Sequence, residues 1–193
     1  MSEETLGRSA PEPGPPTPAA PQHSLSDIQA VIESARTRGG MEALERFIEK
    51  RLPESEEAEV AEAAEVALEI IESIPIFLAR ARQEADQRGL ASVVGPLLDH
   101  AERYFLQPID LIPEMTQGLA GLLDDSYLVI RILENLDKGP EPFLDWDLKH
   151  PLSFLRSLVG LDISRKLDVI VADAMQQVSM YLDELWTRTS HRA

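Results

Sequence analysis

Cysteine is absent from the chain. That removes disulfides, thiolate metal sites and cysteine nucleophiles in one step, and it is compatible with a reducing cytoplasm. Basic residues are scarce: 18 Lys and Arg stand against 34 Asp and Glu, a formal net charge of −16. A chain with this balance lacks the cations that displace counterions from nucleic acid. The same charge disfavours docking on an anionic lipid surface. Long apolar runs are missing too. Outside the proline-rich N-terminus, the longest uncharged apolar-rich run is Leu90 to Leu98, far short of the roughly 20 residues a membrane-spanning helix needs. The opening Met1-Ser-Glu-Glu is acidic and has no apolar core, so no secretory signal is expected. There is no Gly-x-Gly-x-x-Gly, no P-loop, no Gly-x-Ser-x-Gly and no His-x-x-x-His, which removes the common nucleotide, serine-hydrolase and zinc-hydrolase signatures. These absences lean away from an enzyme. They predict a cytoplasmic protein with no nucleic-acid partner, no cofactor and no transmembrane helix.

The 193 residues suffice for one domain with a proper core and a tail. Residues 1–23 hold six of the fourteen prolines, with Gly, Ser, Thr and Ala between them. Such a segment buries too little to offset its ordering entropy and reads as a disordered tail. Its Pro-x-x-Pro spacings, Pro13 to Pro16 and Pro18 to Pro21, suit a polyproline reader, but a plain spacer is the favoured reading.

Residues 24–193 read as a single all-α domain, an irregular bundle of about seven helices, with no strand-like alternation and no internal repeat. Ser24 or Ser26 opens a helix carrying Leu25, Ile28, Ile32 and Ala35, which Gly39-Gly40 ends. A second helix with Leu44, Phe47 and Ile48 stops before Pro53. A long acidic helix follows, with Val60, Ala64, Ala67, Leu68 and Ile71 as its buried stripe and glutamates from Glu54 to Glu72 on a solvated face. Pro75 is expected to kink or break it, and Gly89 closes its basic continuation. A helix from about Ala91 to Leu106 leads into the most distinctive stretch. After it come a helix to about Asp137 closed by Lys138-Gly139-Pro140, an irregular segment with Trp146, a short helix to Val159, and a last helix. The last helix carries Leu167, Ile170, Val171, Ala174, Val178, Tyr181, Leu182 and Leu185 at helical spacing.

The distinctive stretch is Pro108-Ile-Asp-Leu-Ile-Pro113, Glu114, then Gly118-Leu-Ala-Gly121 and Asp124-Asp125. Pro108 and Pro113 fix φ and turn the residues before them away from helix, so residues 109–112 make a stiff connector. Three of those four residues are apolar, which pins the connector against a core. Asp110 is its polar exception and needs donors, the nearest being backbone N–H groups. Gly118 and Gly121 supply turn freedom. Asp124 and Asp125 open an apolar run and suit a helix N-terminus, as cap and as negative charge at the positive end of the dipole. Asp110, Glu114, Asp124 and Asp125 are four oxygen donors in one turn system, the donor type that hard divalent cations take. The structural reading, in which these residues together with Pro108, Pro113 and Gly121 specify the turn, is favoured over a metal site. Of the histidines, His23 and His191 fall in tails and His150 in the irregular segment. His100 lies one turn before Tyr104 and so has the register to face the motif.

The Pro-Ile-Asp-Leu-Ile-Pro run followed by glycine and Asp-Asp resembles the bacterial family catalogued as domain of unknown function 1232 (YkvA-like). The resemblance covers roughly residues 90–133. Glu114 stands where the family has Asp, and the gap after Pro113 is one residue longer. The resemblance implies a small helical hairpin-like unit, within a region 90–137 expected to be the most rigid part of the domain. It implies no activity, and it brings in a membrane association found for some members. The expectation is a soluble helical interaction or scaffold protein that binds a protein partner. A peripheral membrane protein using Phe143–Leu161, with Trp146 and Phe154, and a metal-dependent enzyme using the carboxylates are the alternatives.

Overall fold

The computed structural model describes residues 25–107, 111–112, 118–137 and 143–190, with backbone alone at residue 177 and from 179 onward. Among the described residues the chain is all-helical: six α-helices and one 3₁₀ turn. They are α1 (Leu25–Arg51), α2 (Glu57–Gln87), α3 (Ala91–Leu106), the turn Gly118–Leu122, α4 (Leu123–Leu136), α5 (Lys149–Val159) and α6 (Leu161–Ser190).

The helix count is lower than expected because two boundaries behave differently. At Gly40 the backbone takes φ 58° and ψ −164°, a conformation open essentially to glycine alone. The two predicted halves therefore meet end to end at a sharp kink inside α1. At Pro75 the expected break does not occur, and α2 runs through it. The buried residues of α2 explain why. Val60, Ala64, Ala67, Ile71, Ile74, Leu78, Ala81 and Ala85 are all buried, in alternating steps of four and three on both sides of the proline. A break at Pro75 would turn the last three away from the core. Losing one hydrogen bond and straining one turn costs about 3 kcal/mol. Exposing Leu78, Ala81 and Ala85 costs as much or more, at about 1.5–3 kcal/mol for the leucine and about 0.8 kcal/mol for each alanine methyl.

The ends of α2 follow local chemistry. Glu56 and Glu59 form a reciprocal capping box at its start, the Glu56 N–H donating to Glu59 Oε2 at 3.1 Å. At its end Gly89 takes φ 69°. The Leu90 N–H donates back to the Ala85 carbonyl at 2.7 Å, which satisfies carbonyls the helix leaves open. Arg82 then ties α2 to α3, donating to Glu102 at 2.9 Å and to Asp99 at 2.7 Å.

The centre of the bundle is α4. Leu123 through Ile130, then Ile132, Leu133 and Leu136, are all buried, so this helix is enclosed almost all round. α2, α3, α5 and α6 pack around it, and α1 lies along the 3₁₀ turn that feeds it. Past α4, Asp137 Oδ1 accepts the Leu144 N–H at 2.7 Å and Phe143, Leu144 and Leu148 fold into the core. Trp146 packs on Phe77 with ring centroids 5.0 Å apart. α5 ends at Gly160, φ 85°, and α6 starts at once. In α6 Leu167, Val171 and Val178 are buried; the expected contributions of Tyr181, Leu182 and Leu185 lie outside the described side chains. No helix of the described residues is long and apolar enough to cross a membrane.

Candidate functional site

The sequence motif lies where α3 passes into α4. Gly118 opens the 3₁₀ turn with φ 57°, so the freedom expected of it is used. Gly121 is buried inside the turn and is not among the positive-φ glycines. Its flexibility is not what the turn draws on.

The aspartate pair is not at the cap position. The N-cap is Leu122, which makes no side-chain cap bond, and Asp124 and Asp125 occupy the first turn of α4. The dipole argument survives this shift, because first-turn carboxylates still face the positive helix end. Both residues are buried. Asp124 Oδ2 accepts the Ile112 N–H at 3.2 Å, so one carboxylate holds the connector against α4. Burial pushes the Asp124 carboxyl up to about 7, against the opposing pull of backbone N–H groups at Ile112, Asp124, Asp125 and Leu111. The Tyr104 phenol stands over the same pair. Burial, then the charges of Asp125 and Asp124, hold its ionisation well above the usual range. Its hydroxyl and that of Ser126 are buried without a hydrogen-bond partner among the described residues. Of the connector, the described residues are turned inward: Ile112 is buried and Leu111 packs against the core.

Pro108, Asp110, Pro113 and Glu114 lie outside the described residues, as do the 1–23 tail, the 138–140 closure, His23 and His191. Among the described residues no group of three His, Asp or Glu side chains could hold a metal ion. His100 does not face the aspartates. With Val93, Leu97, Arg103, Ile170 and Asp173 it lines a cavity of about 780 Å³ between α3 and α6, and none of the lining residues belongs to the aspartate cluster. His150 is exposed beside Asp147.

A second polar cluster has no counterpart in the sequence reading. Tyr127, fully buried in α4, donates to Asp168 Oδ1 of α6 at 2.9 Å and accepts from Arg156 Nη2 of α5 at 2.5 Å. Arg156 also reaches Asp168 Oδ2 at 2.7 Å, and Arg131 Nε reaches Asp168 Oδ1 at 3.0 Å. One carboxylate on α6 thereby gathers two guanidinium groups and a phenol from α4 and α5. The three lie 12 to 41 residues from Asp168 in sequence, a separation that helical periodicity cannot reveal. Asp168→Ala would leave two cations facing each other and should cost about 2 kcal/mol. Tyr127→Phe alone should cost about 1 kcal/mol. A double-mutant cycle by chemical denaturation checks this: coupling near zero would mean the groups act independently.

Fold and motif together define an all-helical domain whose connector is clipped to a central helix by a buried aspartate. Residues 103–130 match the model of the family described as protein of unknown function (DUF1232), the family the motif resembles. No curated protein matches the chain, and no solved structure does.

Proposed function

We propose that the chain is a soluble, cytoplasmic helical interaction protein that engages a basic partner through the outer face of α2. One observation carries this reading. Glu62, Glu65, Glu69 and Glu72 recur in steps of three and four along α2, all of them exposed, and the same stripe continues into Ile76, which is 62% exposed. Val66 flanks the stripe and is also exposed. An acidic row that ends in an uncovered β-branched residue offers steering charge together with an apolar anchor, which is how interfaces divide association rate from residence time. Within this row Glu72 pairs with Arg36 at 2.8 Å across the helix pair.

The alternative of a lipid surface draws less support. Most of its apolar residues are turned inward: Phe143 is buried, and Trp146 and Phe154 pack against the core, while Leu161 at its end is exposed. The decisive test is capture from native lysate with wild type and with the triple variant Glu62→Lys, Glu65→Lys, Glu69→Lys. The expected result is a partner retained at low salt and released as the Debye length falls below about 8 Å. The triple variant should retain at least about tenfold less. Equal capture by both proteins at high salt would overturn the reading.

A further inference from the structure

We infer that the cavity between α3 and α6 is a binding site for a small aliphatic carboxylate. Its volume of about 780 Å³ falls within the range of small-molecule sites. One face of α3 and one face of α6 build it, and Val93, Leu97, Ile170 and Val178 make an apolar floor. Polar groups border that floor. His100 Nε2 is shielded from solvent and has no hydrogen-bond partner among the described residues. Burial and the charge of Arg103 lower the imidazole's pKa, so at neutral pH it is an uncharged donor and acceptor. Ser92 and Pro96 both line the cavity. Proline has no N–H, so the Ser92 carbonyl lacks the amide four residues on that would normally donate to it.

Arg103 fixes the charge of the ligand. It is exposed at the cavity and forms no ion pair among the described residues, in a chain where Arg36, Arg80, Arg82, Arg88, Arg131 and Arg156 all do. A guanidinium above an apolar floor suits a carboxylate with a hydrocarbon tail. Asp173, also at the cavity and exposed, opposes that charge. The two residues therefore predict effects of opposite sign.

The experiment is calorimetric titration of the full chain with decanoate, with decanol as the uncharged comparator, and with the His100 ring resonances followed by NMR. Decanoate should bind at one site, move the His100 resonances and bind more tightly than decanol. Arg103→Gln should weaken it about tenfold or more, and Asp173→Asn should tighten it about two- to fivefold. Both substitutions are at exposed positions, and an unchanged thermal midpoint would show that folding is intact. No binding, equal binding of decanol, or an affinity indifferent to Arg103→Gln would each overturn the inference.

Discussion

Asp124→Asn is expected to remove a fall in stability of about 4 kcal/mol that wild type suffers between roughly pH 4 and pH 7. The Asp124 carboxyl belongs to a residue that is 1% exposed and is pushed up by burial to about 7, against roughly 3.9 in an unfolded chain. Below pH 4 both states hold the proton, and this residue's favourable share of stability is fully present. As pH rises the unfolded chain releases its proton first, while the folded protein keeps it until about 7. The unfolded state then binds fewer protons than the native state, so stability falls with pH across that window and levels off above it. Asparagine has no proton to lose. It retains an oxygen for the Ile112 N–H, now accepted at 3.2 Å, and presents an amide where the second carboxylate oxygen was. Its stability at a single pH is therefore a poor readout, and the slope is the informative one. Urea denaturation of both proteins from pH 4 to pH 8 gives the difference directly, with the other titrating groups cancelling. Parallel curves would mean that Asp124 ionises normally, and that the clip between connector and α4 is looser than its geometry indicates. A difference that steepens on adding Mg²⁺, Mn²⁺ or Ca²⁺ would revive the metal reading of the carboxylates.

Much of the architecture was legible because helices advertise themselves locally. Stripes at steps of three and four placed the first part of α2 and the first half of α6. Gly89 and Gly160 marked ends where the backbone does turn left-handed. The same local logic allowed a kink or a break at Pro75, and the helix continues through it with buried residues on both sides. It also placed the aspartate pair at a cap. The 3₁₀ turn runs straight into α4, which shifts the helix start to Leu123 and leaves the carboxylates within the first turn. A cap and a first-turn residue share the same composition signal and differ only in backbone angle.

The polar centres divide in the same way. Asp124 was legible as a residue with a fixed task, because the motif is contiguous and its backbone demands are local. The Tyr127, Arg156 and Asp168 cluster was not, since each member alone looks like an ordinary helical residue, and only the packing of α5 and α6 on α4 brings them together. His100 had the register to face the motif. In the structure Tyr104 feels the charges of both aspartates, and His100, one turn earlier, lines the cavity against α6.

Gly118→Ala is expected to cost about 2–5 kcal/mol, against about 1–2 kcal/mol for Gly89→Ala. Both glycines have positive φ, 57° and 69°, so both substitutions carry the penalty of a left-handed L-residue, about 1–2 kcal/mol. Their surroundings differ. A Cβ at Gly89 would meet nothing within 4 Å, whereas at Gly118 it would lie 3.1 Å from the Ala35 carbonyl oxygen and 3.4 Å from the Gly39 N and Cα. Those are backbone atoms of α1, which cannot swing aside as a side-chain tip does. Relieving the contact means moving α1 off the turn, and overpacking of this kind typically adds about 1–3 kcal/mol. Glycine at 118 therefore serves two needs: it lets the chain turn, and it lets α1 lie against the turn that leads into the aspartates. Thermal and urea denaturation of both variants separates the two needs. If Gly118→Ala costs no more than Gly89→Ala, the approach of α1 to the turn is looser than 3.1 Å, and the motif would be held by Asp124 alone. If it costs more, part of the excess should be recovered in any variant that lets α1 withdraw. Substitutions at Gly40, the φ 58° kink around which the two halves of α1 are set, are the place to look for that recovery.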